Sequence, residues 1–150
     1  MATTRGILSV RLRPEYAPNA VNDFVYLAEH GFYDGLTFYQ VCPDPTGSPC
    51  PAKATAAVAG DPTGVGTGGP GYTVKSDRVI GQYLFGAVAM YGSDARTIGS
   101  QFFISKGDSS GIARSYDIFG QVTDGIPALA LLQRGDKILW VAVVSTAPEP

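Results

Sequence analysis

APNAVNDFVYLAEHGFYDGLTFYQV, residues 17–41, sets an amphipathic helix against a short strand and decides what the rest of the chain must supply. Pro18 suits the first turn of a helix, where its missing N–H costs nothing, and Val21, Phe24, Val25 and Ala28 then recur at helical spacing. Gly31 provides the left-handed stop. LTFYQV, 36–41, follows as a strand whose outward side chains would line a surface groove, and Gln40 is the residue there that needs explaining.

On either side of this unit lie short apolar runs separated by turn residues. GILSVRLR, 6–13, alternates Leu8, Val10 and Leu12 with polar neighbours, the pattern of a half-buried strand. ATAAVAG ending at Gly60, YLFGAVAM (83–90), SQFFIS (100–105), YDIFGQV (116–122) and ILWVAVVS (138–145) are further strands. The spacing also predicts a short helix from Pro127 to Gln133, with Gly135 after it. Many short strands with one long and one short helix imply a mainly β fold, a closed antiparallel barrel with the helices over its open ends. At 150 residues the chain fits one domain, 1–146, with 147–150 as a fraying tail. Leu84, Phe85 and Trp140 would face the core by alternation.

Composition removes several functions. Nineteen Gly and eleven Pro beside 45% hydrophobic residues describe a turn-rich globular protein. The net charge of -2 gives no electrostatic support to nucleic-acid or anionic-membrane binding. No apolar run is long enough to span a membrane, and the N-terminus lacks the pattern of a signal peptide. Cys42 and Cys50 share one proline-rich loop, VCPDPTGSPCPAK. A disulfide there would gain on the order of 2–3 kcal/mol from restricting the unfolded chain and would suit an extracytoplasmic setting. The alternative is two free thiols in a cytoplasmic protein whose chain begins at Met1.

Other chemistry lacks its parts. GDPTGVGTGGPGYTV, 60–74, is too rich in glycine for helix or strand, but it has no basic residue and no helix directly after it. Its expected role is to turn the backbone and pin neighbouring strands. His30, the only histidine, falls at a helix end, and with two cysteines it does not make a four-ligand zinc set. Asp34, Asp44, Asp61 and Asp77 sit in turns, where Asp bonds local backbone.

Taken together, AVNDFVYLAEHGFYDGLTF, the DPTGVGTGGPGY loop, the VAMYGSD turn, GSQFFI and YDIFGQV resemble the cyclophilins, in order, from about Gly6 to Val144. The resemblance implies an eight-stranded antiparallel barrel with two capping helices, and cis/trans isomerisation of the peptide bond before proline, without a cofactor. In that family an apolar pocket holds the proline ring, polar groups hold the flanking backbone, and an arginine donates towards the prolyl nitrogen as conjugation is lost.

By the same resemblance the family's Phe-His-Arg-Val matches Phe38-Tyr39-Gln40-Val41, so Gln40 stands at the arginine position. Phe-Met-x-Gln-Gly-Gly-Asp matches Thr55 to Asp61, which removes the aromatic, the thioether and the backbone-binding glutamine. A frequent tryptophan matches Gly111. Gln101, Phe103, Ile112, Tyr116 and Met90 remain as peptide-binding candidates, although a Phe in SQFFI is as readily explained by core packing.

Two functions follow. The one favoured by the paired loss of arginine and pocket wall is a domain that binds proline-containing peptide or protein, with weak or lost isomerase activity and a scaffold role in a larger assembly. The other is an active, divergent prolyl isomerase that assists folding. A guanidinium reaching Phe103 from elsewhere, from Arg96 or Arg114, would overturn the first.

Overall fold

The computed structural model describes residues 1–78, 81–92 and 97–145. The fold is mainly β with two helices. In chain order the strands are β1 (Ala2–Thr3), β2 (Gly6–Ile7), β3 (Ser9–Leu12), β4 (Gln40–Val41), β5 (Ala56–Ala59), β6 (Val74–Lys75), β7 (Ala87–Met90), β8 (Thr97–Ile98), β9 (Phe102–Ser105), β10 (Ile118–Asp124) and β11 (Ile138–Trp140). The helices are α1 (Pro18–Glu29) and α2 (Ile126–Leu131). The expected tail, 147–150, lies outside the described residues, and so does Arg96. No helix among the described residues is long and apolar enough to cross a membrane.

Helix α1 forms where Pro18 opens it, and the carboxylate of Asp77 accepts from the free backbone N–H groups of Asn19 (3.2 Å) and Ala20 (2.9 Å). It ends in a Schellman arrangement: Gly31 has φ 69°, its N–H donates to Ala28 O, and Phe32 N–H donates to Leu27 O. Phe24 carries the inner face into the core, its ring 5.0 Å from those of Tyr33 and Phe119 and 5.6 Å from Phe102.

The central sheet runs β3–β10–β7–β9–β5–β4, antiparallel throughout. Two smaller sheets, β11–β1–β2 and β6–β8, complete the pairing. Among the described residues the ladders do not close into an eight-stranded barrel. Most strands are two to four residues long, and β4 gives way at Pro43, which has no N–H to extend a ladder.

Alternation along the central strands divides the side chains between two clusters. Phe102 and Ile104, Val88 and Met90, and Ala57 and Ala59 face α1 in the main core. Phe103, Ala89, Ala56 and Val58 form a second cluster with Tyr83 on the opposite face. Three residues expected in the core are instead open: Leu84, Phe85 and Trp140 are 65%, 43% and 46% exposed. Leu84 and Phe85 lie in the turn into Gly86 (φ 80°), ahead of the strand, and Trp140 ends β11.

Candidate functional site

Ladder register places one row of residues across the outer face of the central sheet. Gln40 pairs with Val58, Val58 with Phe103, and Phe103 with Ala89. Adjacent strands are about 4.8 Å apart, so Gln40 stands roughly 10 Å from Phe103 with Val58 between them. Above this row is a hollow of about 140 Å³, roughly ten times the space that admits one water. Phe103 is its floor, Ile112 and Tyr116 one side, and Gln40 its polar edge; no described residue lining it is charged.

Phe103 is fully buried beneath three tyrosines. The ring of Tyr83 meets it edge-on at 5.0 Å, Tyr116 at 6.1 Å and Tyr91 at 6.2 Å. The Tyr83 hydroxyl donates to Ala113 O (2.7 Å) and accepts from Tyr116 N–H (3.0 Å), tying the 113–116 segment to the floor. The aromatic surface around Phe103 therefore comes from the segments flanking β7, which carry Tyr83 and Tyr91, and from Tyr116 ahead of β10.

The far wall comes from the loop between β4 and β5. Cys42 and Cys50 are joined by a disulfide, and Cys42, Pro51 and Ala54 line the hollow. Gly111 lies against this wall: its N–H donates to Lys53 O (2.9 Å), and a Cβ built on it would run into the carbonyl oxygen of Ala52. Gln40 Nε2 is 3.5 Å from Pro49 O, a long contact that leaves the amide able to turn to another acceptor.

Gln101 is placed differently from Gln40. It lines a second, open trough of about 860 Å³ along the glycine-rich loop, which shares Tyr91 and Tyr116 with the hollow. Its Oε1 accepts from Tyr39 Oη at 2.5 Å, and its Nε2 donates to Gly66 O (3.1 Å) and Gly68 O (2.9 Å). Burial foremost raises the Tyr39 hydroxyl pKa far above the ordinary tyrosine range, so it remains a donor. The glycine loop is itself organised by buried Asp61, which accepts from Thr63 N–H and Oγ1–H and from the N–H groups of Val65 and Gly66. Burial pushes the Asp61 pKa up, but the bonds from Thr63, Gly68 and Gly66 outweigh it and hold the carboxyl below its usual value.

Met90 does not line the hollow. It pairs with Phe102, and strand parity turns both into the main core, where Met90 has no exposed surface. Its neighbour Tyr91 takes the place beside Phe103. Sequence reasoning missed Tyr91 and Tyr83, although period-two alternation from Ala89 would have found the former. Arg114 lines a different hollow, of about 320 Å³, beyond Tyr83 with Leu84 and Phe85.

A family model, cyclophilin type peptidyl-prolyl cis-trans isomerase/CLD, matches residues 1–146. The chain belongs to this family. It is 34% identical over 149 residues to a peptidyl-prolyl cis-trans isomerase of Synechococcus elongatus, covering 98% of this chain and 96% of that one. It is 36% identical over 138 residues to peptidyl-prolyl cis-trans isomerase B of Bacillus subtilis, covering 91% and 90%. A cyclophilin-type isomerase of Cryptosporidium parvum, solved in the presence of the dipeptide Ala-Pro, superposes with a TM-score of 0.68 at 25% identity, over 92% of this chain and 96% of the other. A cyclophilin from Hirschia baltica, 19% identical, shares the fold with a TM-score of 0.70 over 97% of this chain and 73% of that one. Within this cyclophilin Gln40 is half-buried and neutral.

Proposed function

We propose that this cyclophilin is a slow peptidyl-prolyl cis-trans isomerase, seating the proline ring of a flexible protein segment in the hollow over Phe103, against Ile112 and Tyr116, with Gln40 at the rim as a neutral donor. The single observation that carries this is the uncharged aromatic hollow with one amide at its edge. The family match and the Ala-Pro dipeptide used with the C. parvum relative support it. They favour turnover over the non-isomerising reading from the sequence.

The reaction needs no covalent step. The X-Pro amide resists rotation by about 18–20 kcal/mol because nitrogen shares its lone pair with the carbonyl. Planar amide is the more polar form, so an apolar hollow that strips water from it disfavours the ground state relative to the twisted one. As the lone pair localises on the prolyl nitrogen, a Gln40 Nε2–H can donate to it. That donor is weaker than a guanidinium and lacks its fixed fork.

Exchange spectroscopy on an Ala-Pro peptide tests this. The expected result is cis–trans exchange peaks that grow with protein concentration. Binding without exchange would instead establish a second reading, a proline-peptide binding module. One observation favours that module: Gln101, the natural group to hold substrate backbone, already spends its oxygen on Tyr39 and its nitrogen on Gly66 and Gly68.

A further inference from the structure

We infer that the segment Cys42–Ala54, closed by the Cys42–Cys50 disulfide, acts as the wall of the prolyl pocket in place of an aromatic side chain at position 111, and that reducing the disulfide weakens peptide binding. The inference rests on the proposed function above. Its structural basis is the junction at Gly111. Only a residue without Cβ allows the Ala52 carbonyl and the Lys53–Gly111 hydrogen bond to come so close, so the loop backbone fills the space where a side chain would stand. Cys42, Pro51 and Ala54 then face Phe103 and Ile112 across the hollow.

Both ends of the loop are anchored independently of the sulfur bridge. Cys42 and Ala56 exchange backbone hydrogen bonds of 2.8 and 3.1 Å, while Thr55 O accepts from Lys106 N–H (2.7 Å) and Ser109 Oγ (2.9 Å). The limb 43–50 is different. Pro43, Pro45 and Pro49 have no N–H to give, and the bonds from Gly47 and Thr46 to Asp44 stay inside the limb. Beyond the disulfide, the limb is tied by Arg134, which bridges Asp44 at 2.9 Å and Thr46 Oγ1 at 2.8 Å from an exposed position. The Asp44 side chain is enclosed and that of Arg134 half exposed, so once the disulfide opens this tie is the main restraint left on the limb.

The chemistry balances with a dithiol as the reductant. Cys50 is half-buried and Cys42 buried, so a thiolate attacks the Cys50 sulfur and the Cys42 sulfur leaves as thiolate. The second thiol of the reagent resolves the mixed disulfide. Two protein thiols and one oxidised dithiol result. With the limb released, Pro49 is no longer held facing Gln40 Nε2. Pro51, the wall residue next to the limb, loses the restraint on its N-terminal side, while the bonds at Lys53 and Ala54 keep the rest of the wall in place.

The experiment titrates an Ala-Pro tetrapeptide into oxidised and dithiothreitol-reduced protein, followed by amide chemical shifts, with thiol counts of zero and two confirming each state. Reduction should weaken binding about five- to tenfold, the loss that accompanies roughly 50 Å² of apolar contact, while shifts from main-core residues such as Phe102 and Leu129 stay fixed. Affinities within twofold of each other would overturn the inference and leave the proposed function intact. No binding in either state would overturn both. Should reduction unfold the chain, Pro51→Gly in the oxidised protein decides: weaker binding by about threefold supports the wall, and unchanged affinity removes it.

Discussion

The N–H of Gly111 is bonded to Lys53 O, and the carbonyl oxygen of Ala52 occupies the space into which any Cβ on Gly111 would project. Glycine here is a packing requirement, so any larger side chain at this position should harm the protein. Gly111→Ala and Gly111→Trp should each cost at least about 1–3 kcal/mol, the usual penalty of overpacking, because the obstacle is backbone held at both ends. Urea unfolding checks this. Equal midpoints for the Trp variant and the parent would mean that the loop yields freely.

In the proposed reaction Gln40 is the donor at the rim of the hollow. A hydrogen bond to or from a charged group contributes roughly 1.5–3 kcal/mol and a neutral one about 0.5–1.5, so Gln40→Arg should raise kcat/KM roughly 5- to 30-fold. Gln40→Ala should lower it a few-fold while leaving the unfolding midpoint unchanged, since the side chain makes only the long contact to Pro49. Both are read in a protease-coupled or magnetisation-exchange assay on an Ala-Pro peptide. An Arg variant no faster than the parent would place the limit in Val58, which stands between position 40 and Phe103.

Asp23 sits buried on the inner side of α1 with one oxygen accepting from Tyr72 Oη at 2.7 Å and the other without a hydrogen-bond partner. Burial raises its pKa above the ordinary 3.8, and the Tyr72 bond only partly opposes this. With the folded value above the unfolded one, its contribution to stability is fully present below the unfolded pKa and is lost as pH rises through the folded pKa. The difference in unfolding free energy between the parent and Asp23→Asn should therefore fall as pH is raised from about 3.5 to 6. A difference that rises over this range would show that the carboxylate form is the better bound.

How much of this was legible in the sequence follows from which interactions are local. Helix α1 is written in its own spacing, from Pro18 to the left-handed Gly31, and the structure reproduces it. The central strands were visible as apolar runs, but their lengths were not: 83–90 shrinks to Ala87–Met90 because Gly86 takes φ 80°, and 138–145 pairs only as far as Trp140. Strands β1, β6 and β8 are two residues long and carry too little pattern to be recognised. Of the residues that line the hollow, Phe103, Ile112 and Tyr116 could be named from their motifs, whereas the inward face of Met90 shows only in its register with Phe102. The loop wall at Gly111 depends on two backbones meeting over a long separation, which no local pattern records.

Asp61 provides a test of how the glycine loop supports the site from outside the hollow. Its carboxylate accepts from Thr63, Val65 and Gly66, and Gly66 and Gly68 in turn hold the amide of Gln101 through their carbonyl oxygens. Asparagine offers one oxygen where the loop uses two and presents a donor to N–H groups that need acceptors. Asp61→Asn should lose about 2–4 kcal/mol of stability, since at least one charge-assisted bond goes and a buried N–H is left unpaired. Because the folded pKa is depressed, the parent's advantage is full above the ordinary 3.8 and disappears as pH falls through the folded value, so parent and variant should converge in acid. Freed from Gly66 and Gly68, Gln101 should also lose its fixed orientation, and kcat/KM for an Ala-Pro peptide should drop although Asp61 does not line the hollow. A variant that unfolds more readily yet turns over peptide at the parental rate would confine the loop to a structural role and detach Gln101 from the reaction.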